Sequence, residues 1–91
     1  MTSDEYKQVI SALSVIFAIA EDICQESAQE ITQAHQELFE AESRNDKCDK
    51  FNAQDHINRA ISKHLFANEI LTDTRNIRRN LLKIVNQEIT F

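Results

Sequence analysis

The chain contains neither glycine nor proline in 91 residues, and this absence restricts its fold more than any motif does. Hairpin turns and phosphate-binding loops depend on glycine, because glycine adopts positive φ angles without steric cost. The sequence therefore argues against all-β folds, doubly wound α/β folds and dinucleotide-binding loops. It favours an all-α fold, and the short length predicts a single helical domain over residues 1–91 with a small core.

The N-terminal half carries a heptad repeat of apolar and small residues. Steps of four and three residues alternate without interruption, as in a coiled coil. Thr2 and Glu5 form a capping-box sequence in front of the repeat. We therefore expect a first helix over about residues 3–43. The repeat consists of Tyr6, Ile10, Leu13, Phe17, Ala20, Cys24, Ser27, Ile31, Ala34, Leu38 and Ala41.

Residues 44–54 lose this repeat and are rich in Asn, Asp and Lys, which predicts a loose connection between two helices. Because no glycine is available, we expect Asn45 or Asn52 to take the left-handed conformation at the end of the first helix. Asn52 or Asp55 is expected to cap the second helix.

A second repeat predicts a second helix over about residues 55–89. A cluster of cap-competent residues at 72–74 is a possible break in this helix, although an unbroken helix is favoured. The repeat consists of Ile57, Ala60, His64, Ala67, Leu71, Thr74, Arg78, Leu81 and Val85.

The charge distribution favours an antiparallel hairpin of these two helices. The overall charge is −5, but residues 1–43 hold nine acidic residues against Lys7 alone, a net −8, and residues 44–91 hold nine basic against six acidic residues, a net +3. We expect Leu38 to lie opposite Ala60 and Ala34 opposite His64, because large residues then face small ones in successive layers.

The hairpin leaves apolar residues unused at its open end, away from the connection. A monomer that exposes them would tend to associate, and self-association into a four-helix bundle would bury them around a two-fold axis. We therefore expect a homodimer or partner interface there, formed by Ala12, Val15, Ile16, Ile19, Ile23, Ile70, Ile77, Ile84 and Phe91.

Few residues in the sequence point to catalysis or metal binding. His35 and His64 are expected near each other, but no zinc-binding or di-iron spacing accompanies them. Cys24 and Cys48 are too few for a disulfide scaffold and lack a base to activate them. We expect no catalytic residue, no metal and no cofactor, and we interpret the chain as a non-enzymatic protein.

Two functions remain open. The first is a protein-binding module, a small acidic inhibitor, immunity-type protein or adaptor that occludes a partner, as some phage-encoded inhibitors of host defence do. The second is a nucleic-acid-binding regulator that uses Arg75, Arg78, Arg79 and Lys83. The most apolar segment, residues 9–20, is shorter than the roughly 20 residues of a membrane span, so we expect a cytoplasmic protein without membrane contact.

Overall fold

A computed structural model describes residues 1–90 of the chain, with the side chains of residues 1–87, and has two long helices packed as a hairpin. Helix α1 comprises Ser3–Arg44 and helix α2 comprises Lys47–Thr90. The hairpin is a rod with extents of 69 × 16 × 13 Å. The predicted all-α hairpin is confirmed.

The core of the rod is a single seam in which a buried residue recurs at every seventh position. On α1 these positions hold mostly small side chains, and α2 repeats the pattern, so the two backbones pack closely. The eleven repeat positions that the sequence indicates on α1 are all buried or half-buried. The buried residues at heptad spacing are Leu13, Ala20, Ser27, Ala34 and Ala41 on α1, and Ala53, Ala60, Ala67 and Thr74 on α2.

Helix α1 begins as the capping-box sequence predicts. The Thr2 side chain accepts a hydrogen bond from the Glu5 backbone N–H at 3.2 Å. Asp4 and Glu5 lie in the first turn, where carboxylates interact favourably with the positive end of the helix dipole.

The connection between the helices is a tight turn of two residues, so the prediction of a loose connection over residues 44–54 is wrong. Asn45 adopts the left-handed conformation, with φ 55° and ψ 38°, as one of the two expected candidates. The backbone N–H of Asp46 donates to the Ala41 carbonyl at 3.1 Å, which satisfies a free carbonyl at the end of α1. The hairpin therefore needs no glycine at its turn.

Asp46 caps α2, and the expected caps Asn52 and Asp55 both lie inside this helix instead. The Asp46 carboxylate accepts from the Asp49 backbone N–H at 3.1 Å. Helix α2 consequently begins at Lys47, two turns earlier than predicted.

The earlier start of α2 shifts the register of the hairpin by one heptad. His64 lies opposite Ser27, at 3.0 Å between Nδ1 and Oγ, and not opposite Ala34 as expected. Extending this register places Ala53 opposite Leu38, the position expected for Ala60. Large residues still face small ones, because Ala53, Ala60 and Ala67 repeat at the same heptad interval.

Helix α2 is continuous, so the possible break at residues 72–74 does not occur. Thr74 is buried in the seam, and its hydroxyl donates to the Ile70 carbonyl one turn earlier at 2.6 Å. The side chain is thus engaged within its own helix and does not cap a new one.

Candidate protein-interaction surfaces

One side of the seam carries a row of cross-helix polar pairs, two of them ion pairs, in the half of the hairpin near the turn. Glu30 accepts from Lys63 Nζ at 3.0 Å, and Glu37 Oε2 lies 3.2 Å from His56 Nδ1. Arg44 and Asp49 pair at 3.1 Å beside the turn. We call this side the ion-pair flank. Its pairs follow one another at heptad intervals on both helices.

In the open half of the hairpin the same flank changes from charged to aliphatic. The row of Glu37 and Glu30 on α1 continues at heptad spacing to Ile23, Ile16 and Val9, and the row of His56 and Lys63 on α2 continues to Ile70, Ile77 and Ile84. The register of the pairs in the turn half, extended along the hairpin, places each of these α1 residues opposite one of these α2 residues. We call this set the aliphatic stripe, and it is formed by Val9, Ile16, Ile23, Ile70, Ile77 and Ile84.

The aliphatic stripe is accessible to solvent. Ile16 is 46% exposed and Ile77 is 48% exposed, at equivalent positions on the two helices, whereas Ile23 and Ile70 are half-buried. Isolated exposed apolar side chains are ordinary, but a continuous set is typical of an interaction surface.

The remaining residues of the expected interface extend the aliphatic stripe over the outer face of α1. Ala12, Val15 and Ile19 are all exposed there. Phe91 lies outside the described residues. Of the nine expected interface residues, the eight that the structure describes therefore lie on one flank of the open half or directly beside it.

A second apolar surface, which the sequence repeats do not predict, lies in the half near the turn on the opposite side of the seam. Phe51 is 73% exposed and Phe39 is 69% exposed, and Ile61 and Leu65 continue the surface along α2. We call these four residues the turn-half group. The sequence does contain one signal for this surface, because Phe51 and Leu65 lie two heptads apart outside the seam and therefore on the same side of α2.

The side of the seam opposite the ion-pair flank also contains a cleft, so we call it the cleft flank. The Arg75 guanidinium lies 5.4 Å from the centre of the Phe17 ring, within the range of a cation–π contact. The cleft has a volume of about 220 Å³ and is lined by Leu13, Ser14, Phe17, Thr74, Arg75 and Arg78.

The four candidate nucleic-acid contacts are all exposed on the C-terminal half of α2. Arg75 and Arg78 line the cleft, and Arg79 and Lys83 lie near them on the same side of α2, away from Ile77. The basic residues therefore occupy a different face of α2 from the aliphatic stripe. Glu30 and Glu37 of α1 pair with Lys63 and His56, in the half near the turn.

A polar layer interrupts the seam near its middle. His64 Nδ1 lies 3.0 Å from Ser27 Oγ and 3.1 Å from the Cys24 carbonyl, and the Ser27 hydroxyl donates to the Ile23 carbonyl at 2.7 Å. A bare Nδ1 would face the carbonyl lone pairs, so the geometry assigns the proton to Nδ1, which donates to both oxygens.

The chemistry-bearing residues do not converge into a reactive site in the part of the chain described. His64 contacts Ser27, and His56 pairs with Glu37 more than one helical turn away. Cys48 is exposed near the turn, whereas Cys24 Sγ donates to Asn68 Oδ1 at 3.4 Å. Within the described residues there is no group of three His, Cys, Asp or Glu side chains that could hold a metal ion.

The apolar part of α1 is longer than the segment of residues 9–20. An 18-residue window near the N-terminus of α1 has a mean hydropathy of 1.4, and only 6% of that window is buried. By length and composition alone, α1 could cross a membrane, which is weak evidence for a span. The exposed residues of the aliphatic stripe on α1 belong to this apolar region.

Comparison with protein-family models, with curated proteins and with solved structures gives no match to this chain. The placement of its own residues therefore carries the functional proposal.

Proposed function

We propose that this protein is a non-enzymatic protein-binding module, a small acidic helical inhibitor or adaptor that works by covering a working surface of a partner protein. The observation that carries the proposal is the pair of exposed apolar surfaces, the aliphatic stripe and the turn-half group. They lie on opposite flanks and in opposite halves of one rod. Such an arrangement suits a chain that contacts two surfaces at once.

The turn-half group is the surface that we assign to the partner protein. Phe39 and Phe51 are the most exposed of the large apolar side chains that the structure describes. Aromatic residues of this kind contribute strongly to protein interfaces when a partner buries them, because each removes a large apolar area from water. The acidic residues of α1 lie on the same rod and would help to select a partner of opposite charge.

Occlusion is the mechanism that follows from a rod of this shape. A straight surface along a 69 Å rod covers a wide area of a partner without requiring a pocket or a moving part. A phage-type inhibitor or an immunity-type protein would use the chain in this way, and so would an adaptor between two proteins. All three share the same contact chemistry.

Affinity capture from the native cell tests this proposal. The wild-type chain should retain a defined partner, and the F39S/F51S variant should lose it because both aromatic anchors are removed. The Q29S/Q36S variant is the matched control, since it changes two exposed polar residues on the outer face of α1. Retention of the same protein by F39S/F51S and wild type would contradict the proposal.

A second candidate function is nucleic-acid binding, favoured by the placement of four exposed basic residues on one side of α2. Arg78 and Arg79 are the central pair, and phosphate contacts of this type give affinity that falls steeply with salt. In a mobility-shift assay at low salt, R78A/R79A should then lose retention of RNA or DNA. The K47A/K50A variant near the turn should keep it. Absence of any shift with the wild-type chain would exclude this function.

A further inference from the structure

We propose that the aliphatic stripe is covered by a second copy of this chain, which packs its own aliphatic stripe against it and buries the open halves of both hairpins. This inference rests on the proposed function, because it names the occupant of one of the two apolar surfaces. The open halves then bind each other, and the turn-half group stays available to a different protein.

The first support is the position at which the ion-pair flank changes chemistry. Glu30 and Lys63 form the last charge pair of the row, and Ile23 and Ile70 follow one heptad later. From Ile23 to Val9 on α1 and from Ile70 to Ile84 on α2, the two rows contain only aliphatic side chains. Charges cost free energy when an interface buries them, so the boundary marks where a covered surface begins.

The second support is the symmetry of the stripe. The register places Ile23 opposite Ile70 and Ile16 opposite Ile77, and the row ends with Val9 and Ile84. Each helix thus contributes three branched aliphatic residues of similar size. A two-fold axis at the level of the central pair lets this surface pack against the same surface of a second copy, with aliphatic residues facing aliphatic residues, as in an isologous dimer.

The third support is the area that the rod leaves in water. The accessible surface is 6849 Å², whereas a compact monomer of 10.5 kDa exposes about 5,400 Å². The excess of about 1,400 Å² is larger than the roughly 800 Å² that each partner contributes to a standard interface. The rod as a whole therefore exposes enough surface to form a standard dimer interface and leave other surface accessible.

A second copy fits this surface better than a partner with polar recognition groups. The aliphatic stripe offers such a partner neither a hydrogen bond nor a charge, so it provides shape and area but little polar selectivity. A second copy needs none, because the complementary surface is the same surface. Packing two hairpins in this way produces a four-helix bundle over the open halves.

Sedimentation equilibrium from low to high micromolar concentration tests the inference with three chains. The wild-type chain should sediment as a dimer, at twice the chain mass of 10.5 kDa. The I16N/I77N variant should raise the dimer dissociation constant at least tenfold, because two buried aliphatic side chains become polar. The control I61N/L65N, which changes two exposed aliphatic residues of the turn-half group, should leave it unchanged.

Circular dichroism on the same samples separates loss of the interface from loss of the fold. Should I16N/I77N lose helicity, the single variants Ile16→Ser and Ile77→Ser take its place, and each should weaken the dimer with its helix content intact. A wild-type monomer at every concentration overturns the inference, and so does an equal effect of the control. Stripe-dependent flotation of a monomer with phosphatidylcholine vesicles would also overturn it, by assigning the stripe to lipid.

Failure of this inference is distinguishable from failure of the proposed function. A monomer that still captures a partner through Phe39 and Phe51 leaves the proposed function in place. A stable dimer with no partner that depends on the turn-half group contradicts the proposed function and supports the inference.

Discussion

Lys63 Nζ donates to Glu30 Oε1 at 3.0 Å across the seam, and this pair is the last charged step of a row that is aliphatic from the next heptad onward. The two residues therefore mark a division of the rod. The half near the turn keeps charges on its ion-pair flank, and the open half presents hydrocarbon on the same flank. The proposed dimer interface begins at this division.

The small residues of the seam are expected to be intolerant of larger side chains. Ala34 and Ala67 are fully buried, and each lies where the helix backbones approach closely. Ala34→Leu or Ala67→Leu should lower the free energy of unfolding by about 1–3 kcal/mol, because the added methyl groups force the helices apart. Urea denaturation followed by circular dichroism measures this change.

Ala18→Leu is the matched control for these substitutions, since Ala18 is exposed on α1 and leucine is compatible with a helix there. Its stability should stay within about 0.5 kcal/mol of wild type. A control that destabilises as much as Ala34→Leu would mean that the seam is not closely packed.

The turn should be sensitive to the residue at position 45. Asn45 holds a positive φ, which costs other L-residues about 1–2 kcal/mol, so Asn45→Val should destabilise the hairpin by roughly that amount. Asn45→Gly should be tolerated, because glycine takes this conformation freely. Thermal and urea unfolding of both variants gives the comparison.

Asn52 provides a second test of the turn, because it lies inside α2 and is exposed. Asn52→Ala should be neutral or slightly stabilising, since alanine has the higher helix propensity. If Asn52→Ala destabilises the hairpin and Asn45→Val does not, the turn lies near residue 52, as the composition suggests, and not at Asn45 and Asp46.

The polar layer of the seam makes a prediction about the His64 ring. The neutral imidazole should carry its proton on Nδ1, which donates to Ser27 Oγ and the Cys24 carbonyl. Nitrogen-15 chemical shifts from long-range proton–nitrogen correlation spectra distinguish the two tautomers. A dominant Nε2–H tautomer at a pH where the ring is neutral would contradict the assigned hydrogen bonds.

The coupling between Ser27 and His64 should be measurable by a double-mutant cycle. The variants Ser27→Ala, His64→Ala and their combination should give an interaction free energy of about 0.5–1.5 kcal/mol, the usual net value of a hydrogen bond. Strictly additive effects on urea unfolding would show that the two side chains do not interact in solution.

Much of the fold could be predicted from the sequence, and the error in register has one physical cause. The heptad repeat of α1 identifies the residues of its seam, because burial along two packed helices recurs every seventh residue. The same repetition makes registers that differ by one heptad look alike, since Ala53, Ala60 and Ala67 are equivalent in size and spacing. The two-residue turn decides between them.

The turn itself was hidden by composition. Asn45 and Asp46 are turn-forming residues, but the Asn, Asp and Lys residues after them resemble a longer loop and in fact form the first turns of α2. Ala53 was the missing signal, because it extends the Ala60 and Ala67 row one heptad towards the turn. Composition also hides the turn-half group, since Phe51 lies within the segment that resembles a loop.

The most direct test of the central claim, that exposed aliphatic residues on the ion-pair flank are an association surface, is a filtered nuclear Overhauser measurement. Chains labelled with carbon-13 at isoleucine methyl groups are mixed with unlabelled chains. We expect intermolecular contacts to the methyl groups of Ile16 and Ile77 and none to those of Ile61. Intermolecular contacts at Ile61 alone, or at no isoleucine of either half, would contradict it.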